Sequence, residues 1–108
     1  MSYDYLFFKH AGTVHSDADL SEDMVRTIGT PEEIKSMLAA VYPQIAWEDE
    51  RCGWLDPATY SGNVSLFSED GKSFSVSRIT AEEVQLLCNR TGLIAFDGQA
   101  GKLYVPEA

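Results

Sequence analysis

The sequence predicts an α+β fold: two amphipathic helices packed on one face of a four- to six-stranded antiparallel or mixed sheet. Three observations lead there. Thr30-Pro31-Glu32-Glu33-Ile34 opens a helix leading to the short apolar run Ile45-Ala46-Trp47-Glu48, and Thr80-Ala81-Glu82-Glu83-Val84 opens another leading to Ile94-Ala95-Phe96-Asp97, so the chain reads as an α–β pseudo-repeat. Between them, two alternating segments flank Asp70-Gly71, a strong hairpin signal because Gly accepts the positive φ such turns require. Strands outnumber helices, in an order that mixes hairpins with crossovers. At 108 residues the chain has room for one core and is expected to form a single domain over residues 1–108.

In chain order, Tyr3 to Phe8 is dense in aromatics and suits a strand. Tyr3, Tyr5 and Phe7 alternate with Asp4, Leu6 and Phe8, so both faces are partly apolar, which argues for a central place in the sheet. Lys9 to Gly29 reads as a loop, with Ser21-Glu22-Asp23 capping a short helix that carries Met24, Val25 and Ile28. The first long helix runs from Thr30 to about Tyr42. Thr30 is its N-cap, Pro31 takes the first helical position, and Glu33 completes a capping box. Ile34, Met37, Leu38 and Val41 then make one apolar stripe, and Pro43 stops it. Ile45 to Trp47 reads as a short strand. Glu48 to Ser61 reads as polar and irregular, with Gly53-Trp54-Leu55 as an apolar island and Asp56-Pro57 as a turn.

Asn63–Phe67 and Ser73–Ile79 are predicted strands of the hairpin, with Val64, Leu66, Phe74 and Val76 pointing inward and a largely serine face toward water. Thr80 to about Thr91 repeats the helix design with a stripe of Val84, Leu87, Cys88 and Thr91, closed by Gly92 in the left-handed position. Leu93–Phe96, a turn over Asp97–Gly101, and Lys102–Val105 complete the order.

Composition narrows the functional classes. Net charge is −9, and the surplus is concentrated: between Ser16 and Glu50 lie Asp17, Asp19, Glu22, Asp23, Glu32, Glu33, Glu48, Asp49 and Glu50 against only Arg26 and Lys35. Such a field repels nucleic acid and attracts a basic partner. No apolar run is long enough to span a bilayer, and the opening Met1–Tyr5 lacks the positive flank and apolar stretch of a signal peptide, so a cytoplasmic location is expected. Two cysteines are too few for a disulfide scaffold. Cys88 falls on an apolar stripe and reads as core, whereas Cys52 sits in the polar stretch Glu50-Arg51-Cys52-Gly53.

The chemistry-bearing residues form no catalytic pattern. His10 and His15 are not at helical metal-site spacing and would need Asp17 or Asp19 to complete a site. No serine sits in a glycine elbow, neither cysteine has a histidine partner in the sequence, and no phosphate-cradling glycine loop precedes a helix. No catalytic residue, metal or cofactor is therefore assigned. Glu48-Asp49-Glu50 near Trp54 is the most suggestive cluster. It reads as a solvated loop with Trp54 tucked into the core, as a paired-acid hydrolase site, or as a contact patch in which an aromatic anchors and the charges steer. The candidate partner-binding residues are Glu48, Asp49, Glu50 and Trp54, joined by Asp17 and Asp19.

The opening Met1-Ser2-Tyr3-Asp4-Tyr5-Leu6 and the ending Gly92-Leu93-Ile94-Ala95-Phe96-Asp97-Gly98-Gln99 are together similar to a family of small bacterial proteins of uncharacterised function. Its members open with a Met-Ser-Tyr-Asp strand and close on an aromatic-Asp-Pro-Gln turn; here Gly98 stands where proline is usual. The resemblance implies a small cytoplasmic bacterial protein, of a kind that in some members is similar to immunity proteins that neutralise toxins. It attaches no catalytic residues, and it makes Asp4 and Asp97 strand-end and turn residues. The expectation is a non-enzymatic acidic protein, monomeric or homodimeric, that binds a basic protein. The alternatives are a self-associating structural protein joined through an edge of the serine-rich hairpin, and a carboxylate-dependent hydrolase.

Overall fold

The computed structural model describes residues 4–11, 14, 20, 22–66 and 71–106. Eight strands form one sheet: β1 (Asp4–His10), β2 (Val25–Arg26), β3 (Ala46–Trp47), β4 (Cys52–Asp56), β5 (Ser61–Ser65), β6 (Ser73–Ser77), β7 (Ile94–Asp97) and β8 (Lys102–Tyr104), with helices α1 (Pro31–Val41) and α2 (Ala81–Thr91). The order is β3-β4-β5-β6-β1-β7-β8, with β2 paired to the end of β1, and every pairing is antiparallel. The class is α+β as the sequence predicts, with more strands than the four to six expected.

Both helices begin as their sequences dictate. Thr30 Oγ1 accepts from the Glu33 N–H and Glu33 Oε1 accepts from the Thr30 N–H, each at 3.2 Å, closing a reciprocal box. Thr80 caps α2 through the Glu83 N–H at 3.2 Å, and Gly92 ends it at φ 75°, a conformation that costs a Cβ-bearing residue about 1 kcal/mol or more. The stripes Ile34/Leu38 and Val84/Leu87/Cys88 press onto one sheet face. There they meet Tyr5, Phe7, Leu55, Val64, Leu66, Phe74, Val76, Ala95 and Tyr104. Phe7 and Phe74 are register partners and stack with ring centroids 5.2 Å apart.

β1 is central, flanked by β6 and β7, which explains its two apolar faces. Tyr5 and Phe7 point to the helices. Phe8 is buried on the other side with Val14 and Ile94, backed by Leu20, Val25 and Phe96. This second cluster makes the helix-free face apolar at its β1–β7 end. Across β5 and β6 the same face carries Ser61, Asn63, Ser65, Ser73, Ser75 and Ser77, all half-exposed, as the alternation predicts.

Three expectations are corrected. The short helix through Met24, Val25 and Ile28 is instead a single 3-10 turn, Glu22–Met24, followed by β2, because Val25 and Arg26 pair with His10 and Lys9. The stretch expected to be irregular contains β4. Its alternation is hidden by Gly53, which faces inward where Trp47 of the partner strand lies across it: a Cβ there would come within 2.7 Å of the Trp47 ring. Finally, the serine-rich hairpin β5–β6 is paired on both sides, by β4 and by β1, so it offers no edge for self-association. Among the described residues the main path of the sheet ends on β3 and β8, of two and three residues, with the two-residue β2 attached at the end of β1, and short edge strands are a device against such pairing. Gly71 stands at φ 69° and its carbonyl accepts from the Ile28 N–H at 2.7 Å, while Asp70 lies outside the described residues.

Candidate binding surface

The turn from β3 to β4 carries the acidic triplet, and its carboxylates have local tasks. Asp49 Oδ1 accepts from the backbone N–H groups of Arg51 and Cys52, both at 2.7 Å, so the residue caps its own turn. Those bonds, with a smaller contribution from the charge of Lys35, hold its carboxyl below the usual carboxylate range. Glu48 Oε1 accepts from the Trp54 indole N–H at 2.6 Å. Glu50 is exposed beside them.

Trp54 is not tucked into the core. It is half-buried on the helix-free face, opposite Ala46 on one side and Asn63 on the other. Two residues from elsewhere complete its surroundings. Tyr60 meets it edge-on with centroids 5.3 Å apart, and the Arg78 guanidinium carbon lies 5.9 Å from the indole centre, within cation–π range. Tyr60 is 62 % exposed, an unusual position for a tyrosine. Both residues are held in the left-handed region, at φ 52° and 56°, which costs each about 1–2 kcal/mol. They stand at the ends of neighbouring strands, tied by the Gly62 N–H donating to the Arg78 carbonyl at 2.8 Å. Two strained backbone positions thus deliver one aromatic and one cation to the same ring, while Glu48 fixes its rotation. Strain of this sort clusters at functional sites.

Of the predicted contact residues, the structure joins Glu48 to Trp54 directly, sets Asp49 and Glu50 in the adjoining turn, and leaves Asp17 and Asp19 outside the described residues. The sequence reading missed Tyr60 and Arg78. Tyr60 carried a signal, an aromatic among small polar turn residues in Ala58-Thr59-Tyr60-Ser61-Gly62 where nothing calls for packing. Arg78 carried none, because its approach depends on pairing β6 with β5. Arg78, Arg51 and Lys35, the last 4.9 Å above the Trp47 ring, make this end of the sheet mixed in charge rather than purely acidic.

Other candidates fall apart in space. Cys52 opens β4 and lines an open depression of about 450 Å³ with Asp49, Glu50 and Arg51, but Asp49 is turned onto the backbone. His10 lies on β1, in a different hollow. Among the described residues no group of three or more His, Cys, Asp and Glu side chains could hold a metal ion, and His15 is not one of them. Asp97 is buried, with Oδ1 accepting from the N–H groups of Gln99 and Ala100 at 3.0 and 3.2 Å, so it is a turn residue; Asp4 is exposed at the start of β1. Cys88 is core, donating to the Tyr104 carbonyl at 3.8 Å, and burial pushes its thiol up to about 12. No helix of the described residues is long and apolar enough to cross a membrane. No family model, no curated protein and no solved structure matches the chain.

Proposed function

We propose that this chain is a non-enzymatic binding module that engages a cationic protein partner through the Trp54 patch, in the manner of a bacterial immunity protein acting in the cytoplasm. One observation carries the reading: Trp54 is preorganised by Glu48, Tyr60 and Arg78 yet remains half-exposed beside an acidic turn. Trp is among the residues most enriched at interface hot spots. The Arg78 guanidinium 5.9 Å from the indole centre is the kind of cation that such a ring receives, and a charge of −9 would steer a basic protein toward the surface; both support the reading. Next to Cys52, Asp49 Oδ1 is engaged with the backbone of its own turn, which supports a binding rather than a catalytic reading.

The test is co-expression with the product of the adjacent gene, followed by calorimetry on the purified pair. Trp54→Ala is expected to weaken binding by about thirtyfold or more, the size of a hot-spot loss. Reversal of Glu48 and Glu50 to arginine is expected to slow association and flatten its salt dependence. Binding indifferent to both changes would remove the patch from the interface.

A further inference from the structure

Trp54 and Tyr60 stand at 85° to one another, two aromatic walls of a corner. The Glu48 carboxylate takes the indole N–H at 2.6 Å. That N–H lies in the plane of the ring, so the acid sits at the edge of the indole and not over a face. An ionised carboxylate has about four acceptor sites, and one bond to the indole leaves Glu48 acceptor capacity for further donors. Two aromatic walls and an edge carboxylate are what a planar cation uses, the rings by stacking and the acid by charge-assisted hydrogen bonds.

The corner carries such a cation from its own chain. Arg78 immediately follows β6, and its guanidinium carbon is 5.9 Å from the indole centre, at the outer limit of about 6 Å for this interaction. Arg78 is exposed, and among the described residues the indole is the only group its guanidinium engages. Exposed contacts of this kind are weak, so Arg78 can leave the ring at little cost. The other tryptophan is placed differently: the Lys35 ammonium lies 4.9 Å from the centre of Trp47, well inside that limit.

We infer that the group the Trp54 corner takes from its partner is the guanidinium of an arginine side chain, and that Arg78 is its internal stand-in, displaced on binding. The inference rests on the binding role proposed above and names the residue that role requires of the partner. A lysine ammonium is the poorer occupant. It is compact and strongly hydrated and has no plane to stack, whereas a guanidinium is weakly hydrated, lies flat on an aromatic ring and presents a fork of N–H donors to a carboxylate at its rim.

The experiment compares two capped peptides of equal charge, three Gly-Arg repeats and three Gly-Lys repeats, titrated into the isotope-labelled full chain while the indole N–H resonances of Trp54 and Trp47 are followed by NMR. The arginine peptide is expected to shift Trp54 and not Trp47, and to bind about tenfold more tightly than the lysine peptide. Tyr60→Ala, at a position 62 % exposed, removes one wall and should bring that ratio below about threefold. Arg78→Asn keeps a residue type that accepts the left-handed backbone at φ 56°. Its lost positive charge strengthens both peptides alike, but displacement adds a gain for arginine alone, so the ratio should rise about threefold. Equal affinity for the two peptides, a ratio unmoved by Tyr60→Ala, or a ratio that fails to rise in Arg78→Asn would each overturn the assignment. Equal peptide affinities together with a gene product whose binding still falls in Trp54→Ala would sink the arginine assignment and leave the binding surface standing. A tenfold ratio beside a gene product indifferent to Trp54→Ala would support the arginine corner and remove that product as its partner.

Discussion

Helices α1 and α2 are both 11 residues long, both start on a threonine cap followed by two acids, and both lead into an antiparallel hairpin, β3–β4 and β7–β8. The strands they deliver nonetheless differ. Ala46 of β3 is exposed on a two-residue edge strand, whereas Ala95 of β7 is fully buried beside the central strand. The two hairpins occupy opposite ends of the sheet. Local sequence therefore specifies the unit, helix then hairpin, but burial within it is set by the neighbours. β7 is inserted against β1, while β3 reaches the sheet only through β4. The pseudo-repeat is one of elements, not of environments.

The sharpest way to break this comparison is to charge the two equivalent alanines. Ala95→Asp places a carboxylate between β1 and β8 with no partner, and is expected to cost more than about 4 kcal/mol, a large fraction of the stability of a domain this size. Ala46→Asp should stay within about 0.5 kcal/mol. Urea unfolding of both variants measures the difference, and equal losses would mean that the two strands are equivalently placed.

A smaller effect separates the hairpins by their glycines. Gly53→Ala drives a Cβ to 2.7 Å from both the Ala46 carbonyl oxygen and the Trp47 ring, so the edge strand must shift, at about 1–3 kcal/mol. At Gly98 the nearest atom to a new Cβ is 3.9 Å away, and Gly98→Ala should change stability by no more than about 0.5 kcal/mol. Thermal melts decide between them.

The same glycines show what could be read from sequence. Caps, stripes and the left-handed Gly92 are local chemistry, so α1, α2 and the strands that follow them were legible residue by residue. The alternation of Val64, Leu66, Phe74 and Val76 foretold β5–β6. β4 was not legible, because its inward side chain is missing and is supplied by Trp47 from another strand. For the same reason only half of the candidate surface could be foreseen. Glu48 and Trp54 lie six residues apart, but Arg78 reaches the indole through strand pairing, and the strain at Tyr60 and Arg78 has no sequence signature.

Capping distinguishes the two helices on a finer scale. Glu33→Ala removes the reciprocal bond to the Thr30 N–H and should cost about 0.5–1 kcal/mol, whereas Glu83→Ala removes no such bond and should cost less by that amount. Thr30→Ala and Thr80→Ala should each cost about 1 kcal/mol, since each hydroxyl accepts the third N–H of its helix. Chemical denaturation of the four variants separates the two N-termini.

The finest difference is electrostatic and links the two helices. Tyr42, the C-cap of α1, has its phenol pushed up to about 12, first by burial and then by the negative charge of Glu83 in α2. Because burial is the larger cause, Glu83→Gln should lower the Tyr42 titration only in part, leaving it above the ordinary 10.0; the Tyr42→Phe difference in phenolate absorbance isolates the signal. The sign for stability follows from proton binding. The folded state holds the Tyr42 proton more tightly than the unfolded chain, so this contribution is complete below pH 10 and is lost as pH rises toward 12. Cys88 acts in the same direction from pH 9.0 upward. The protein should therefore lose stability in alkali through one group at the end of each helix. Tyr42→Phe should blunt the part of that loss that begins above pH 10, and it should leave the earlier Cys88 part in place.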